Sequence, residues 1–210
     1  MGIFAGDKPF PFPAECASIP AMLTDLPNVL TMSRIVAIPV VVGCVAWGTP
    51  LGDALACILF ILAGITDYLD GKRARSRQQL SDFGRMFDSI ADKLLVGACL
   101  MVLAGYARLP YASLWPAIII LCREILVSGM REYLAERKAS LPVTRLAKWK
   151  TGFQMTAIGF LLAGDGTGLL LQMPWLHVAM TGACLLWIAA VLTLITGWDY
   201  LTTGLRYVEL

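Results

Sequence analysis

The sequence predicts an all-α, polytopic membrane protein of six transmembrane helices, and three observations carry that prediction. Of its 210 residues 58% are hydrophobic and 15% charged, with a mean hydropathy of +0.70, whereas soluble domains carry about a quarter charged residues. Six largely apolar segments that can form helices near the roughly 20 residues needed to cross a hydrocarbon core of about 30 Å, two of them only by including aspartates at one end, alternate with polar connections. Basic residues gather in only two of those connections. A net charge of +2 and a pI near 8.2 are too mild to indicate nucleic acid, and none is expected as a partner.

The helices are expected over residues 28–47, 53–76, 84–106, 114–133, 147–163 and 175–196, forming one domain over 28–210. Residues 1–27 are read as a proline-rich juxtamembrane tail, without the basic n-region, apolar core and cleavage site of a signal peptide. The first helix contains Pro39, which a membrane bundle tolerates because neighbours re-satisfy the freed backbone. In the second, the uncharged run 54–66 has 13 residues and is only about 20 Å long. To span, this helix must continue through Asp67 and Asp70. The third mirrors it: 94–106 is another uncharged run of 13 residues, preceded by Asp88 and Asp92. The fourth begins near Pro116 and carries Arg123 beside Glu124 inside an apolar segment. The fifth is entered through Lys148 and Lys150, and the sixth begins near His177, read as an interfacial residue. The six cysteines show no CxxC spacing and read as small hydrophobes, not as disulfides or zinc ligands.

Orientation follows from the charges. Lys72, Arg73, Arg75, Arg77 and Arg85 flank the second connection, and Arg137, Lys138, Arg145, Lys148 and Lys150 the fourth, while the other three offer only Arg108. The positive-inside rule makes the two basic loops cytoplasmic, and with six spans both termini as well.

Cation bias leaves the acids unexplained. Asp67 lies 14 residues beyond Asp53, and Asp92 lies 14 before Tyr106, so the two sit at nearly equal depth, with Asp70 and Asp88 about one turn nearer the cytoplasm. Asp67 and Asp70 share a helix face; Gly84, Asp88 and Asp92 form a stripe at i, i+4, i+8. Antiparallel neighbours meeting along these faces bring four carboxylates together. Such a cluster requires protonation, pairing with Arg73, Arg75, Arg85 or Lys93, or divalent metal. Hard oxygen ligands suit Mg²⁺ or Mn²⁺, and two such ions suit chemistry at a phosphoryl group. Gly71 and Ala74 remove bulk beside the cluster, and Arg75 follows to meet phosphate.

Written out, Asp67, Asp70, Gly71, Ala74, Arg75, Gly84, Asp88 and Asp92 form DxxDGxxAR, eight residues, then GxxxDxxxD. This pattern resembles the signature of the CDP-alcohol phosphotransferase family at every defined position. The resemblance implies a six-helix catalytic bundle that attacks the diphosphate of a CDP-linked lipid or alcohol with a hydroxyl and releases CMP. By position, Asp67, Asp70 and Asp88 would hold two Mg²⁺ or Mn²⁺ ions, and Asp92 would join them and act as the base. Gly71 and Arg75, flanked by Ala74 and Gly84, would meet the CDP portion together with Ser81. "PNVLTMSR" is similar to the family's PNxxTxxR pattern and puts Asn28, Thr31 and Arg34 at the nucleotide end.

"CREILVSGMREYL" and "LAKWKTGFQM" resemble the phosphatidylglycerophosphate synthase branch, whose acceptor is sn-glycerol 3-phosphate and whose donor is CDP-diacylglycerol. That acceptor brings a phosphate, for which Arg123, Lys148 and Lys150 are the candidate ligands. Phosphatidylglycerol, giving cardiolipin, and inositol phosphate are the rival acceptors, and a divalent-cation transporter is the non-enzymatic alternative. The family also implies a homodimer, here in the bacterial inner membrane with the active site on the cytoplasmic side.

Overall fold

The computed structural model describes residues 26–77, 82–110, 112–136, 145–170 and 177–208. Within them lie six α-helices and no strand: α1 (Leu26–Ala46), α2 (Pro50–Arg77), α3 (Asp82–Gly105), α4 (Leu114–Glu136), α5 (Arg145–Leu170) and α6 (Val178–Val208). Each expected helix is present, and the boundaries that differ do so for local reasons. α2 starts at Pro50 rather than Asp53 because Thr49 caps it, its Oγ1 accepting a hydrogen bond from the Gly52 N–H at 3.1 Å. Proline at the first helical position and Asp53 in the first turn complete a helix start. α5 breaks at Gly164, where φ is +61° and ψ 175°, one residue past its expected end, and helix resumes to Leu170. α6 continues to Val208, well beyond the expected stop at Thr196. The tail, residues 1–25, lies outside the described residues.

Among the described residues α2 and α3 pack little on each other directly, and the Asp67 and Asp70 side chains, on the face where the two helices are expected to meet, lie outside the described residues. Among the described residues α1 packs extensively on both helices from one side, and α5 packs on α2 and, less extensively, on α3 from the other. α6 lies along α5 and also receives α4. The core explains this arrangement. Val41 and Val45 of α1 and Ile158, Leu161 and Leu162 of α5 are fully buried in one cluster with Phe60 of α2 and Leu95 and Leu103 of α3. Large side chains from α1 and α5 thus wedge the acidic helices apart over their apolar lengths. α5 and α6 approach much more closely: a Cβ on Gly182 would stand 2.9 Å from Leu161 Cγ and 3.1 Å from its backbone nitrogen.

At the end where α2 begins and α3 stops, an ion pair joins the two helices. After α3 the chain turns through Ala107 (φ +53°), and the Arg108 N–H donates to the Leu103 carbonyl at 2.8 Å. This turn directs the Arg108 guanidinium onto the Asp53 carboxylate, which is 10% exposed in that pair. Tying these ends together fixes the axial register of α2 against α3, and hence the relative depth of the aspartates at their opposite ends.

Among the described residues, one helix holds a segment long and apolar enough to cross a bilayer on length and composition alone, Val178–Thr202, with a mean hydropathy of 2.3. Thr31–Ala46 and Pro50–Thr66 are shorter apolar segments.

Candidate active site

The site is built where α1 meets α3. Thr31 and Arg34, one turn apart on α1, are both 3% exposed and both face Asp88 of α3. The Arg34 Nη2 forms an ion pair with Asp88 Oδ1, and the Thr31 hydroxyl donates to the same oxygen at 3.4 Å. Arg34, expected at the nucleotide, therefore stands on a carboxylate. Burying a guanidinium so fully requires an anion beside it. The Asp88 side chain remains 43% exposed, and both of these contacts fall on Oδ1. Asp92, one turn further along the same face of α3, is half-buried.

α2 is helical without interruption to Arg77, so Asp67, Asp70, Gly71, Ala74 and Arg75 all lie on one continuous helix, as the depth reading requires. Their side chains lie outside the described residues, as do that of Asn28 and the whole of Ser81; Gly84 belongs to the first turn of α3. No group of three or more His, Cys, Asp or Glu side chains gathers among the described residues. The donor chemistry of those described, carboxylate oxygen on Asp88 and Asp92, does fit a hard divalent cation.

A second cluster lies alongside, formed by α4, α5 and α6. The Lys150 ammonium, 5% exposed, is ion-paired with Glu124 Oε1. Arg123 Nη1 stands 3.7 Å from the same oxygen, so two cations share one carboxylate. Arg123 Nη2 donates to Thr196 Oγ1 at 3.1 Å, and its guanidinium carbon lies 5.6 Å from the centre of the Tyr200 ring. Asp92 is within electrostatic reach of Lys150, which links this cluster to the carboxylate site. Two of the three basic candidates are thereby brought together; the third, Lys148, is exposed and outside the cluster. Lys93 serves a structural end, donating to Ser89 at 2.7 Å and to Ser128 of α4. Thr196 and Tyr200 were not singled out from the sequence, although polar residues at helical spacing in an apolar helix are a usable signal.

Between α2 and α5 runs an apolar groove of about 570 Å³ lined by Cys57, Phe60, Gly64, Met155, Gly159 and Phe160 among others. Ile65 also lines it, two positions before Asp67 on the same helix.

Comparison with known proteins gives a consistent result. A family model described as CDP-alcohol phosphatidyltransferase matches residues 24–195. Curated relatives named "CDP-diacylglycerol--glycerol-3-phosphate 3-phosphatidyltransferase" include one from Rickettsia felis, 43% identical over 184 residues, covering 87% of this chain and 97% of the relative. Another, from Cereibacter sphaeroides, is 40% identical and covers 88% of this chain and 97% of its own. That of Bacillus subtilis is 34% identical, with 84% and 93% covered.

Proposed function

The chain belongs to the CDP-alcohol phosphatidyltransferase family, a family of membrane enzymes, and on that premise we propose that it transfers a phosphatidyl group from CDP-diacylglycerol to sn-glycerol 3-phosphate. The products are phosphatidylglycerophosphate and CMP, in phospholipid biosynthesis. The observation that carries this choice of acceptor is the Arg123–Glu124–Lys150 cluster within reach of Asp92. A phosphate-bearing alcohol needs cations beside the base that activates its hydroxyl, and the relatives' names point to the same acceptor rather than to phosphatidylglycerol or inositol phosphate.

The reaction is read as a direct displacement. Asp92 accepts the proton of the acceptor's primary hydroxyl, the oxygen attacks the lipid-side phosphorus, and the bond to CMP breaks. Asp67, Asp70, Asp88 and Asp92 are the residues to hold divalent metal, Mg²⁺ or Mn²⁺, which when bound supplies charge neutralisation to the diphosphate and the departing CMP. Arg34 and Thr31 hold Asp88 in place through Oδ1. Gly71, Ala74, Arg75, Ser81 and Asn28 are assigned to the CDP portion. Because a carboxylate is a weak base for an alcohol, positioning supplies much of the acceleration. Arg123 and Lys150 contribute by orienting the acceptor's phosphate. The α2–α5 groove, apolar and reaching Ile65 on α2, is suited to the donor's acyl chains.

Six spans, a cytoplasmic active site and residence in the bacterial inner membrane belong to the same proposal. Support comes from two sets of exposed tryptophans near opposite ends of the helices, with Trp187, less exposed, partway along α6. Trp47 and Trp115 stand where α1 ends and α4 begins, and Trp149 and Trp198 where α5 begins and in the later part of α6. Tryptophans in two such positions fit the interfacial belts of a bilayer.

The test is an assay of purified protein in detergent with CDP-diacylglycerol, labelled sn-glycerol 3-phosphate and Mg²⁺ or Mn²⁺. CMP release and labelled lipid that depend on all three components are expected. Turnover only with phosphatidylglycerol or an inositol phosphate would overturn the acceptor, and metal flux into vesicles without CMP release would overturn the enzyme.

A further inference from the structure

We propose that α6 is the positioning wall of the acceptor site: Thr196 and Tyr200 hold the Arg123 guanidinium beside Glu124 and Lys150, making these groups an anion clamp for the phosphate of the acceptor. The inference rests on the functional reading above and extends it to residues that neither the motif nor the basic loops include.

Hydrogen-bond accounting is the first support. Thr196 is 1% exposed, and its hydroxyl donates to the Leu192 carbonyl at 2.8 Å. A hydroxyl has one proton to give, so with that proton committed to the helix backbone its lone pairs are presented to Arg123 Nη2 at 3.1 Å. The Tyr200 ring, one turn further along α6 and itself 6% exposed, supplies a π-face 5.6 Å from the same guanidinium. Gly197 lets the arginine stem pass: a Cβ there would stand 3.2 Å from Arg123 Cγ. Three side-by-side features of α6 are thus shaped around one cation from α4.

Charge is the second support. Arg123 and Lys150 converge on a single oxygen, Glu124 Oε1, so these three groups carry one more positive charge than negative, with Asp92 acting on Lys150 and Arg131 on Arg123 from outside the trio. Two cations on one carboxylate favour an added anion, and Asp92 lies within electrostatic reach of one of them, Lys150. Glu124 keeps the two cations together in the absence of that anion. A purely structural set of ion pairs has no need for a helix 73 residues away to aim one of its members.

The experiment measures steady-state kinetics of wild type, Thr196→Val, Tyr200→Leu and the conservative Thr196→Ser and Tyr200→Phe in detergent, with each substrate varied in turn. Thr196→Val and Tyr200→Leu are each expected to raise KM for sn-glycerol 3-phosphate by about tenfold, the effect of losing one contact to a charged group. KM for CDP-diacylglycerol should stay within about twofold of wild type. Thr196→Ser keeps the acceptor oxygen and Tyr200→Phe keeps the ring, so both should restore wild-type KM. An unchanged acceptor KM in both disruptive variants, or equal rises for both substrates, would overturn the clamp while leaving the proposed function standing. Absence of sn-glycerol 3-phosphate turnover in the wild type would instead overturn the functional reading, and the clamp with it.

Discussion

Removing the carboxylate that two buried cations share should destabilise the protein more than removing either cation, and the structure sets the size of the difference. Glu124→Gln leaves the Lys150 ammonium 5% exposed with only an amide dipole in place of its partner. Stranding one member of a buried ion pair costs about 3–5 kcal/mol. Because Asp92 also acts on Lys150, the lower end, about 3 kcal/mol, is expected. Lys150→Met removes the cation instead. Glu124, 20% exposed, then still has Arg123 at 3.7 Å, so the loss should be about 1 kcal/mol. In a chain of this size each kcal/mol moves Tm by about 2–4 °C, giving shifts of about 6–12 °C for Glu124→Gln and 2–4 °C for Lys150→Met. The double variant Glu124→Gln/Lys150→Met no longer strands an ammonium at position 150 and should fall between them, the signature of coupled sites. Intrinsic tryptophan fluorescence on heating in detergent measures all three. Equal shifts for the two single variants, or a larger one for Lys150→Met, would refute the view that the shared carboxylate holds the cluster together.

Four further outcomes are expected. Asp92→Asn should lower kcat by about 10²–10⁴-fold, the range of a general base, with Tm near that of wild type; near-normal turnover would remove Asp92 from that role. Exhaustive chelation should abolish CMP release, and added Mg²⁺ or Mn²⁺ should restore it. Gly159→Leu projects into the groove, where a Cβ meets nothing within 4 Å, so it should raise KM for long-chain CDP-diacylglycerol more than for a short-chain analogue. Gly182→Ala forces a methyl to within 2.9 Å of Leu161 Cγ and should cost about 1–3 kcal/mol by overpacking, read as a lowered Tm with the ratio of the two KM values unchanged.

The helices were legible because they depend on local geometry. An apolar run fixes where helix forms, and a rise of about 1.5 Å per residue converts spacing into depth, so the need for α2 to continue through Asp67 and Asp70 followed from counting. The break at Gly164 was legible in the same way, as the end of an apolar stretch one residue earlier. Capping by Thr49 was legible in principle, since threonine followed by proline is a helix start, but the charged Asp53 drew the boundary inward. Arg123 beside Glu124 was recognisable as a charged pair inside an apolar helix, without any indication that Thr196 and Tyr200 would also hold the arginine.

What the sequence by itself determined is therefore the one-dimensional order: six helices, two basic connections, and a family motif at the facing ends of the second and third helices. Which faces meet was decided only in three dimensions. Arg34 finds Asp88 across 54 residues and Arg123 finds Thr196 across 73, and neither spacing carries a local signal. Helix rotation and crossing depend on the sum of packing along each pair, from the bulk of Ile158 and Leu161 to the space left at Gly182. That sum placed α1 and α5 between the two acidic helices and brought α6 beside the basic cluster, because side-chain volume acts between chain segments and no period along one segment encodes it.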